Sequence, residues 1–396
     1  MRITHFINLP NLGGIERLFL AMIESPSADV EHQILLSDDM GISIEKELKN
    51  FPGEIKNYKR WCGIRIPGWP RSLRKLLLSQ ELINNVVPDV LIMWSQLNAR
   101  EIALAYKKLG VKIIYYEHGS AWLCKPEPER LAFLNEVDGI FCASRACARM
   151  LNLRWGILEK KITVCTNPLL PELKPPVFPF KKVKDMTKPL QLGVAGRLVS
   201  LKGFGIAIGA IKKLVLKGID CELHIAGAGP LEKELKALAS ELGVDNKIVF
   251  RGFVDDMGKF FESLDIFLCP SLREPFGLVS IEASAWGCPV VAADVDGLSE
   301  TLVDGETGFL VVPTRDPKGM REVVGENWPE YVYESRNDKI SPTLAVDPED
   351  FANAIIKASD PVELATMGEN ASKFTLEKFD YQKYLNHFKS SIEGLL

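Results

Sequence analysis

The sequence predicts an α/β protein with two Rossmann-like, doubly wound parallel-sheet domains that face a cleft. Three observations support this fold class: the chain length, an alternation of strand-like and helical patterns, and a proline-rich stretch between two such series. At 396 residues the chain is longer than a single hydrophobic core normally supports. Two domains are therefore expected.

The first series of strand-like runs precedes residue 168. Its first strand is followed by a short loop and then by a helical pattern that begins near Ile15. The predicted strands of this series are residues 3–8, 31–36, 90–94, 112–116, 139–143 and 162–165. Helical patterns separate them, which is typical of a parallel sheet with helical crossovers.

A second series follows a change in composition at residues 168–189. Prolines are frequent there and lysines accompany them, so an interdomain linker is predicted. The strands predicted after it are residues 192–195, 222–226, 248–251, 266–269, 290–293 and 308–312. We place the domains at residues 1–178 and 179–375, and expect a closing helix at 376–396 to pack back on the first.

Composition and charge exclude several classes of protein. The net charge is −4, so nothing global indicates nucleic-acid binding. No apolar run approaches membrane-spanning length, and the first residues lack the pattern of a signal peptide. The eight cysteines form no C-x-x-C pair and mostly lie in apolar runs, which favours reduced core thiols. A cytoplasmic protein is expected.

Two carboxylates flank a predicted helix start in the second series. Glu274 falls in a loop after an apolar run, and Glu282 falls inside the following helical pattern. The amides of Phe276, Gly277 and Leu278 would lie at the helix N-terminus, which suits an anion. Hydroxyl-binding carboxylates beside an anion site are the layout that a nucleotide sugar needs.

Other loops add cations and glycines. Arg197 and Lys202 lie in one short loop after the first strand of the second series, where they can neutralise a diphosphate leaving group. Gly227 belongs to a turn after the next strand. Gly13 and Gly14 follow the first strand of the chain, where they either let the backbone approach an anion or only form a tight turn.

The order of these motifs resembles that of a known family. GRLVSLKG at 196–203, AGAGP at 226–230, REPFGLVSIEA at 273–283, GCPVVAAD at 287–294 and DGETGFLV at 304–311 come in the sequence typical of retaining glycosyltransferases of the GT-B fold. The resemblance is to the large family 4-like group that includes bacterial lipopolysaccharide and mannosyl transferases. The first domain matches it more loosely, through Gly13 to Arg17 and through Glu117-His118-Gly119.

The resemblance implies site residues in both domains, an acceptor-binding first domain and a donor-binding second domain. The implied catalytic residues are His118, Arg197, Lys202 and Glu274. The implied donor-binding residues are Gly13, Gly14, Arg197, Lys202, Gly227, Glu274, Phe276, Gly277, Leu278 and Glu282. Arg197 and Lys202 would hold the diphosphate, Glu282 the ribose hydroxyls and Glu274 the hydroxyls of the transferred sugar.

Three further interpretations depend on single residues. His118 would sit near the reacting sugar, and the alternative is a histidine satisfied locally at a turn. Asp296 replaces the first of two glycines usual in the family, and its charge would oppose a diphosphate unless it points away. Asp294-Val295-Asp296 spells a D-x-D motif at the wrong place for a metal site, so no metal and no cofactor are expected.

The function that these residues imply is retaining transfer of a sugar from a nucleoside diphosphate sugar. The acceptor would be a saccharide or a lipid-linked molecule. The reaction would belong to the synthesis of cell-envelope polysaccharide or lipopolysaccharide. A sugar-nucleotide epimerase on the same fold and a non-catalytic sugar-nucleotide-binding protein are the alternatives.

Two segments suggest further contacts. Residues 56–75, from Lys56 to Lys75, mix seven basic residues with Trp and aliphatic residues and contain no acid. This pattern suits an anionic membrane surface or a phosphorylated acceptor, and a solvated surface loop is the alternative. Membrane contact would place the protein at the inner face of the cell membrane. Residues 314–345 are polar and irregular, and a lid or partner surface is suggested there.

Overall fold

The computed structural model describes residues 1–25, 29–61, 64–65, 87–176 and 187–396. The chain divides into two compact units. The first contains Met1–Thr166 together with Gln382–Leu396, and the second contains Asn167–Tyr381. The division after Thr166 comes before the predicted domain boundary at residue 178.

The first unit is built around a seven-stranded parallel sheet of order β3-β2-β1-β6-β7-β8-β9. Its strands are β1 Arg2–Ile7, β2 Glu31–Leu36, β3 Ile55–Asn57, β6 Val90–Trp94, β7 Lys112–Glu117, β8 Gly139–Cys142 and β9 Ile162–Val164, and a small antiparallel pair is formed by β4 Arg60–Trp61 and β5 Ile64–Arg65. All five residues of the central strand β6 are buried. Apolar residues occupy the strand throughout because both faces of a parallel sheet are covered.

Helices of the first unit connect and cover these strands. They are α1 Gly14–Glu24, α2 Ile42–Glu47, α3 Arg100–Lys107, α4 Ser120–Leu123, α5 Pro128–Glu136 and α6 Arg145–Trp155. Helix α6 shows how local sequence fixes a boundary: the Ser144 side chain accepts from the Cys147 amide at its start, and Gly156 ends it at φ +67°. Both are standard capping solutions.

The second unit contains a six-stranded parallel sheet of order β12-β11-β10-β13-β14-β15. The strands are β10 Leu190–Ala195, β11 Cys221–Ala226, β12 Ile248–Gly252, β13 Ile266–Cys269, β14 Val290–Ala293 and β15 Gly308–Val311. The helices before the last strand are α7 Phe204–Leu216, α8 Glu232–Glu241, α9 Met257–Ser263 and α10 Leu278–Ala285. In both sheets the strand order reverses beside the first strand, which opens a crevice at the carboxyl edge.

The predicted strands of both sheets are confirmed to within about two residues at each end. The apolar runs were long enough and regularly enough separated by helices to fix them. The short strand β3 was not predicted, because Ile55–Asn57 offers a single apolar residue.

The predicted linker is only partly a linker. Within residues 168–176, Leu169, Leu170 and Leu173 are buried, and the Trp286 indole donates to the Leu173 carbonyl at 2.9 Å. This part of the chain therefore packs as a component of the second unit. Residues 177–186 lie outside the described residues.

The C-terminal prediction also needs correction. Helix α13, Pro361–Lys378, belongs to the second unit, and α14, Tyr381–Glu393, lies almost wholly in the first. The chain is not helical at Phe379, whose side chain is buried against Phe276 with ring centroids 5.6 Å apart. Two helices thus replace the single helix predicted over 376–396.

Residues 314–345 are ordered, so the prediction of an irregular segment was wrong. They contain helix α11, Arg321–Val324, and an antiparallel hairpin of β16, Tyr331–Glu334, and β17, Lys339–Pro342. Helix α12, Pro348–Ala358, follows. The segment packs closely on α7: a Cβ at Gly205 would lie 1.8 Å from the Val323 carbonyl oxygen.

Candidate active site

The predicted donor-site residues of the second unit follow strands β10, β11 and β13 or lie in helix α10. The loops after β10 and β13 touch, since the Leu272 amide donates to the Leu201 carbonyl at 2.9 Å. Gly203 makes this approach possible: its φ is +63°, and a Cβ there would lie 2.0 Å from the Pro270 carbonyl oxygen. Only glycine fits both requirements.

Lys202 and Glu274 form an ion pair in which Nζ and Oε2 are 2.5 Å apart. The exposed fractions of the two side chains are 27% and 16%, so the pair is largely shielded from solvent. Burial lowers the pKa of Lys202, but the charge of Glu274 and the hydrogen bond to it outweigh that effect and raise the pKa above its usual value. The structure thus joins the cation predicted for the diphosphate and the carboxylate predicted for the sugar.

Cys269, the last residue of β13, has three of these charged side chains as neighbours. Burial is the main cause that raises the pKa of its thiol, and the charges of Glu274 and Glu282 add to it while Lys202 opposes it. Arg273 also acts on Lys202 as a neighbouring positive charge. Lys202, Glu274 and Glu282 are therefore all close enough to the carboxyl end of β13 to act on Cys269, and Arg273 is close enough to act on Lys202.

Helix α10 begins at Gly277, whose φ of +108° turns the loop into the helix. No side chain caps this N-terminus. Phe276 is buried and Leu278 is partly buried, so their positions are fixed by packing. The helix N-terminus carries a partial positive charge, which is favourable for a phosphate group.

Gly227 and Arg197 have different surroundings. A Cβ at Gly227 would lie 1.9 Å from the Gly196 carbonyl oxygen, so this glycine is needed for the loops after β10 and β11 to meet. Arg197 is exposed, and no ion pair joins it to another residue in the described part of the chain.

Asp296 points into the protein. It is fully buried, and its two carboxylate oxygens accept from the Glu274 amide at 3.1 Å and from the Tyr333 amide at 2.7 Å. The Gly297 amide donates to the Glu274 carbonyl at 3.0 Å, so the 296–297 turn holds the Glu274 backbone on both sides. A positive φ of 49° at Asp296 explains why glycine is an alternative residue at this turn.

Asp294 is also engaged by the hairpin of β16 and β17. Its carboxylate forms an ion pair with Arg336 and accepts from the Ser335 hydroxyl at 3.2 Å. Both carboxylates of the D-x-D sequence are therefore bound to residues 333–336. Among the described residues no group of three or more potential metal-ligating side chains is found. Metal independence itself stays a prediction.

His118 follows strand β7 in the first unit and is 8% exposed. Its ring stacks on Trp94 with centroids 5.3 Å apart and planes at 8°, and lies 4.1 Å from the Tyr116 ring. Neither ring nitrogen has a hydrogen-bond partner among the described residues, which contradicts a histidine satisfied locally at a turn. Burial lowers its pKa to about 3, so the ring is neutral at physiological pH.

Gly13 and Gly14 follow strand β1, in the same unit as His118. Gly13 is the residue before helix α1, and a Cβ there would lie 2.6 Å from Oε2 of Glu16. Gly14 is exposed. Their predicted contact with a donor phosphate stays a prediction.

The basic segment of residues 56–75 is described only in part. Lys56, Lys59 and Arg60 each pair with an acid from outside the segment: Glu54 at 3.0 Å, Asp38, and Asp39 at 2.8 Å. These three charges are thus partly neutralised. The other basic residues of the segment lie outside the described side chains, and membrane contact stays a prediction. No helix in the described ranges is both long and apolar enough to cross a bilayer.

The sequence matches two protein families, each in one half of the chain. "Glycosyltransferase Family 4" matches residues 12–172 and "Glycosyl transferases group 1" matches residues 178–327. An uncharacterised glycosyltransferase of Haemophilus influenzae is 30% identical over 251 residues, which cover 61% of this chain and 69% of that protein. The chain is a family 4-like glycosyltransferase.

Other relatives of this glycosyltransferase are similar over different lengths. The lipopolysaccharide core biosynthesis glycosyltransferase LpsE of Rhizobium meliloti is 28% identical over 83% of this chain and 90% of its own. An uncharacterised glycosyltransferase of Methanocaldococcus jannaschii is 37% identical, but the match covers 35% of this chain and only 39% of that protein.

Solved structures confirm the predicted GT-B fold of this glycosyltransferase. Anabaena HepE in complex with UDP-glucose superposes with a TM-score of 0.72 at 19% identity, over the whole of both chains. The lipopolysaccharide outer core galactosyltransferase WaaB gives a TM-score of 0.71 at 19% identity, again over both whole chains.

Sequence reasoning missed several residues of this glycosyltransferase that support the site. Asp296 is recognisable from the sequence only as a departure from the family, and nothing in the sequence indicates its partner Tyr333. Arg273 lies in the motif at 273–283, but the motif alone indicates no role for it. Trp94, which stacks on His118, is recognisable only as the end of a strand.

Proposed function

We propose that this glycosyltransferase moves a sugar from a nucleoside diphosphate sugar to a saccharide or lipid-linked acceptor, with retention of anomeric configuration. The observation that carries the proposal is the shielded Lys202–Glu274 ion pair beside Glu282 and the uncapped start of helix α10. These groups offer a cation, a helix N-terminus and two carboxylates. A diphosphate linked to two hydroxyl-bearing sugars needs that combination.

In this proposal the bound donor separates Lys202 from Glu274 and becomes the partner of both. The diphosphate takes over Lys202, and hydroxyl groups of the transferred sugar donate to Glu274. Burial lowers the pKa of Lys202 and the charge of Glu274 raises it above its usual value. The diphosphate replaces Glu274 as the negative partner, so the ammonium stays charged through the reaction. As the glycosidic bond breaks, Lys202 and exposed Arg197 stabilise the negative charge that grows on the leaving diphosphate.

The acceptor hydroxyl attacks from the face on which the diphosphate departs, and a leaving phosphate oxygen takes its proton. Glu274 and Glu282 then bind hydroxyls and transfer no proton, unlike the two carboxylates of glycosidases. Retention is tested directly by determining the anomeric configuration of the product by NMR. An inverted product would refute this part of the proposal.

The biological role that we propose is lipopolysaccharide or other cell-envelope polysaccharide synthesis. The relatives that align over most of this chain carry that role in their names: LpsE and LpsD of Rhizobium meliloti are both lipopolysaccharide core biosynthesis glycosyltransferases. A uridine nucleotide is the first donor to test, because structural relatives were solved with UDP and UDP-glucose.

The deciding experiment is a thermal-shift screen of nucleotides and nucleotide sugars, followed by acceptor-dependent release of the nucleotide. A ligand at 100 times its Kd stabilises the folded state by about 2.7 kcal/mol. Glu282→Gln should weaken binding of the free nucleoside diphosphate about tenfold, since a charged acceptor of hydroxyl hydrogen bonds is lost. Glu241→Gln, in the second unit at the end of helix α8, is the matched control and should bind like the wild type.

Three outcomes distinguish the candidate functions. Acceptor-dependent nucleotide release supports transfer. Release of nucleotide and free sugar without any acceptor indicates the epimerase alternative, and tight binding with no turnover indicates a binding protein. Stabilisation by no nucleotide at all would refute the donor site.

A further inference from the structure

Ser95 directly follows the buried central strand β6 of the first unit. Its Oγ is buried and has no hydrogen-bond partner among the described residues. His118 follows the neighbouring strand β7 and shares this property at both ring nitrogens. Buried polar groups are almost always hydrogen-bonded, so two such side chains on adjacent strand ends are candidates to bind a hydrogen-bonding group from outside the described chain.

The backbone at Ser95 is held in an uncommon conformation. Its φ is +54°, and in the described part of the chain only Asp296 and Asp338 are other non-glycine residues with positive φ. Aspartate tolerates this region better than serine does. Strained residues that persist are concentrated at functional sites, because the surrounding structure must hold them there.

The residues that hold Ser95 lie on either side of His118. The Ser95 amide donates to the Tyr116 carbonyl at 2.9 Å, and the Ser120 hydroxyl donates to the Ser95 carbonyl at 3.1 Å. The residue before Ser95, Trp94, stacks on the His118 ring. Ser95 and His118 are therefore fixed relative to each other by three separate contacts.

The hydrogen-bonding groups offered here are uncharged. His118 is neutral, because burial lowers its pKa to about 3. The nearby Glu117 carboxylate is buried and already accepts from the Tyr115 hydroxyl at 2.5 Å, from the Ala121 amide at 3.2 Å and from the Gly119 amide. A phosphate or carboxylate ligand would find no counter-charge in Ser95 and His118, whereas a sugar hydroxyl can both donate to and accept from them.

We propose that Ser95 binds a saccharide hydroxyl group together with His118 and helps determine which sugar is accepted. The proposal rests on the proposed function, since it requires a saccharide substrate. The carboxyl edge of a parallel sheet, where both residues lie, is where ligands bind in such folds. The hydroxyl belongs to the transferred sugar or to the acceptor, and the chemistry of recognition is the same in both cases.

The test compares two Ser95 variants in the full chain. Ser95→Ala deletes the hydroxyl and keeps the side-chain carbon, while Ser95→Gly deletes the hydroxyl and adopts positive φ without strain. Each should raise the KM for one saccharide substrate about three- to tenfold, as expected for one lost neutral hydrogen bond. The affinity for free UDP or GDP should not change.

Thr375→Val provides the matched control. Thr375 also carries a buried hydroxyl without a partner in the described chain, but it lies in the last turn of helix α13 and not at the end of a strand. This variant should leave both KM values unchanged. The melting temperature of all three variants is measured alongside.

The substrates for the assay are UDP-glucose, UDP-galactose, UDP-N-acetylglucosamine and GDP-mannose, with a truncated lipopolysaccharide core as acceptor. A higher KM for the donor assigns the hydroxyl to the transferred sugar, and a higher KM for the acceptor assigns it to the acceptor. Unchanged KM values in both variants overturn the Ser95 proposal alone. A higher KM in Ser95→Ala together with a wild-type KM in Ser95→Gly also overturns the proposal. The cause would then be backbone strain at this position and not the missing hydroxyl.

Failure of the proposed function has a different signature. The wild-type protein would then release no nucleotide in an acceptor-dependent way from any of the four donors. That result would overturn both proposals together.

Discussion

At the carboxyl edge of the second sheet the charged side chains Lys202 and Glu274 are paired with each other, and Asp294 and Asp296 are bound by the hairpin of β16 and β17. At the same edge of the first sheet, Ser95 and His118 are neutral and have no partner among the described residues. The second sheet therefore offers ligands charged groups that are already paired, whereas the first sheet offers neutral groups that are unpaired among the described residues. A shielded charge needs an opposite charge beside it until an anionic ligand takes that place. A neutral group can stay unpaired at a much lower cost in free energy.

The carboxyl edge of the second sheet is called the charged edge, and that of the first sheet the neutral edge. The largest effect on transfer should come from removing the cation of the charged edge. Lys202→Met should lower kcat about 10²–10³-fold, because it removes a cation placed where negative charge develops. Lys247→Met is the matched control: Lys247 pairs with Asp220 at 2.8 Å beside the amino ends of β11 and β12, on the opposite edge of the same sheet. Steady-state transfer rates with thermal melts of both variants make the comparison. Near-normal turnover by a folded Lys202→Met protein would remove Lys202 from the mechanism.

A smaller effect should follow from loosening the support of the charged edge. Asp296→Asn keeps the shape of the turn, but its amide has only one acceptor oxygen for the two amides of Glu274 and Tyr333. A buried amide left unpaired costs about 1–3 kcal/mol, and we expect a lower melting temperature together with a kcat reduced about tenfold. The affinity for free nucleotide should stay the same.

Asp304→Asn is the control for this variant. The Asp304 carboxylate likewise accepts from a backbone amide, that of Leu310 at 2.8 Å, but in an exposed turn of the same unit. It should change neither kcat nor the melting temperature by much. If Asp296→Asn is destabilised yet has the wild-type kcat, Asp296 serves the fold and does not position Glu274.

The smallest effect concerns the neutral edge and appears only on acidification. The pKa of His118 is about 3 in the folded protein and about 6.5 in an unfolded chain, so only the unfolded state takes up the proton between these values. The stability contributed by the neutral ring is present above pH 6.5 and is lost as the pH falls below it. Between pH 6.5 and pH 5 the free energy of unfolding should drop by about 2 kcal/mol on this account.

His118→Asn should remove that part of the acid sensitivity. Urea unfolding of the wild type and the variant at pH 7 and pH 5 measures this sensitivity. The difference between the two pH dependences gives the contribution of His118 protonation to the free energy of unfolding. His5 and His32, whose pKa values burial also lowers, will leave residual sensitivity in both proteins. Equal pH dependences would show that His118 is already solvated or hydrogen-bonded in the folded state.

Much of the charged edge was predictable from the sequence, and little of the neutral edge was. Lys202, Glu274 and Glu282 stand in motifs whose order is distinctive. The pairing of Lys202 with Glu274 was not predictable, because 72 residues separate them and the loops meet only after the sheet has formed. Ser95 gave no signal at all, since a serine after an apolar strand has no pattern of its own.

The parallel sheets were predictable because each strand is a buried apolar run. The hairpin of β16 and β17 was missed because its strands are short and border a polar turn. The direction of Asp296 depends on that hairpin: its partner Tyr333 lies 37 residues further along the chain. A local pattern could identify Asp296 as unusual but could not show what it binds.

The split of the last two helices between the units has a consequence for how the protein is made. Helix α14 supplies the first unit with Tyr384 and Phe388, whose rings lie against each other and, through Phe388, against Tyr116. The Tyr384 hydroxyl lies 3.3 Å from that of Tyr116, two residues before His118. During synthesis on the ribosome, the first unit therefore lacks helix α14 until the whole second unit has been made. The second unit can fold first, and the support beneath His118 is completed last.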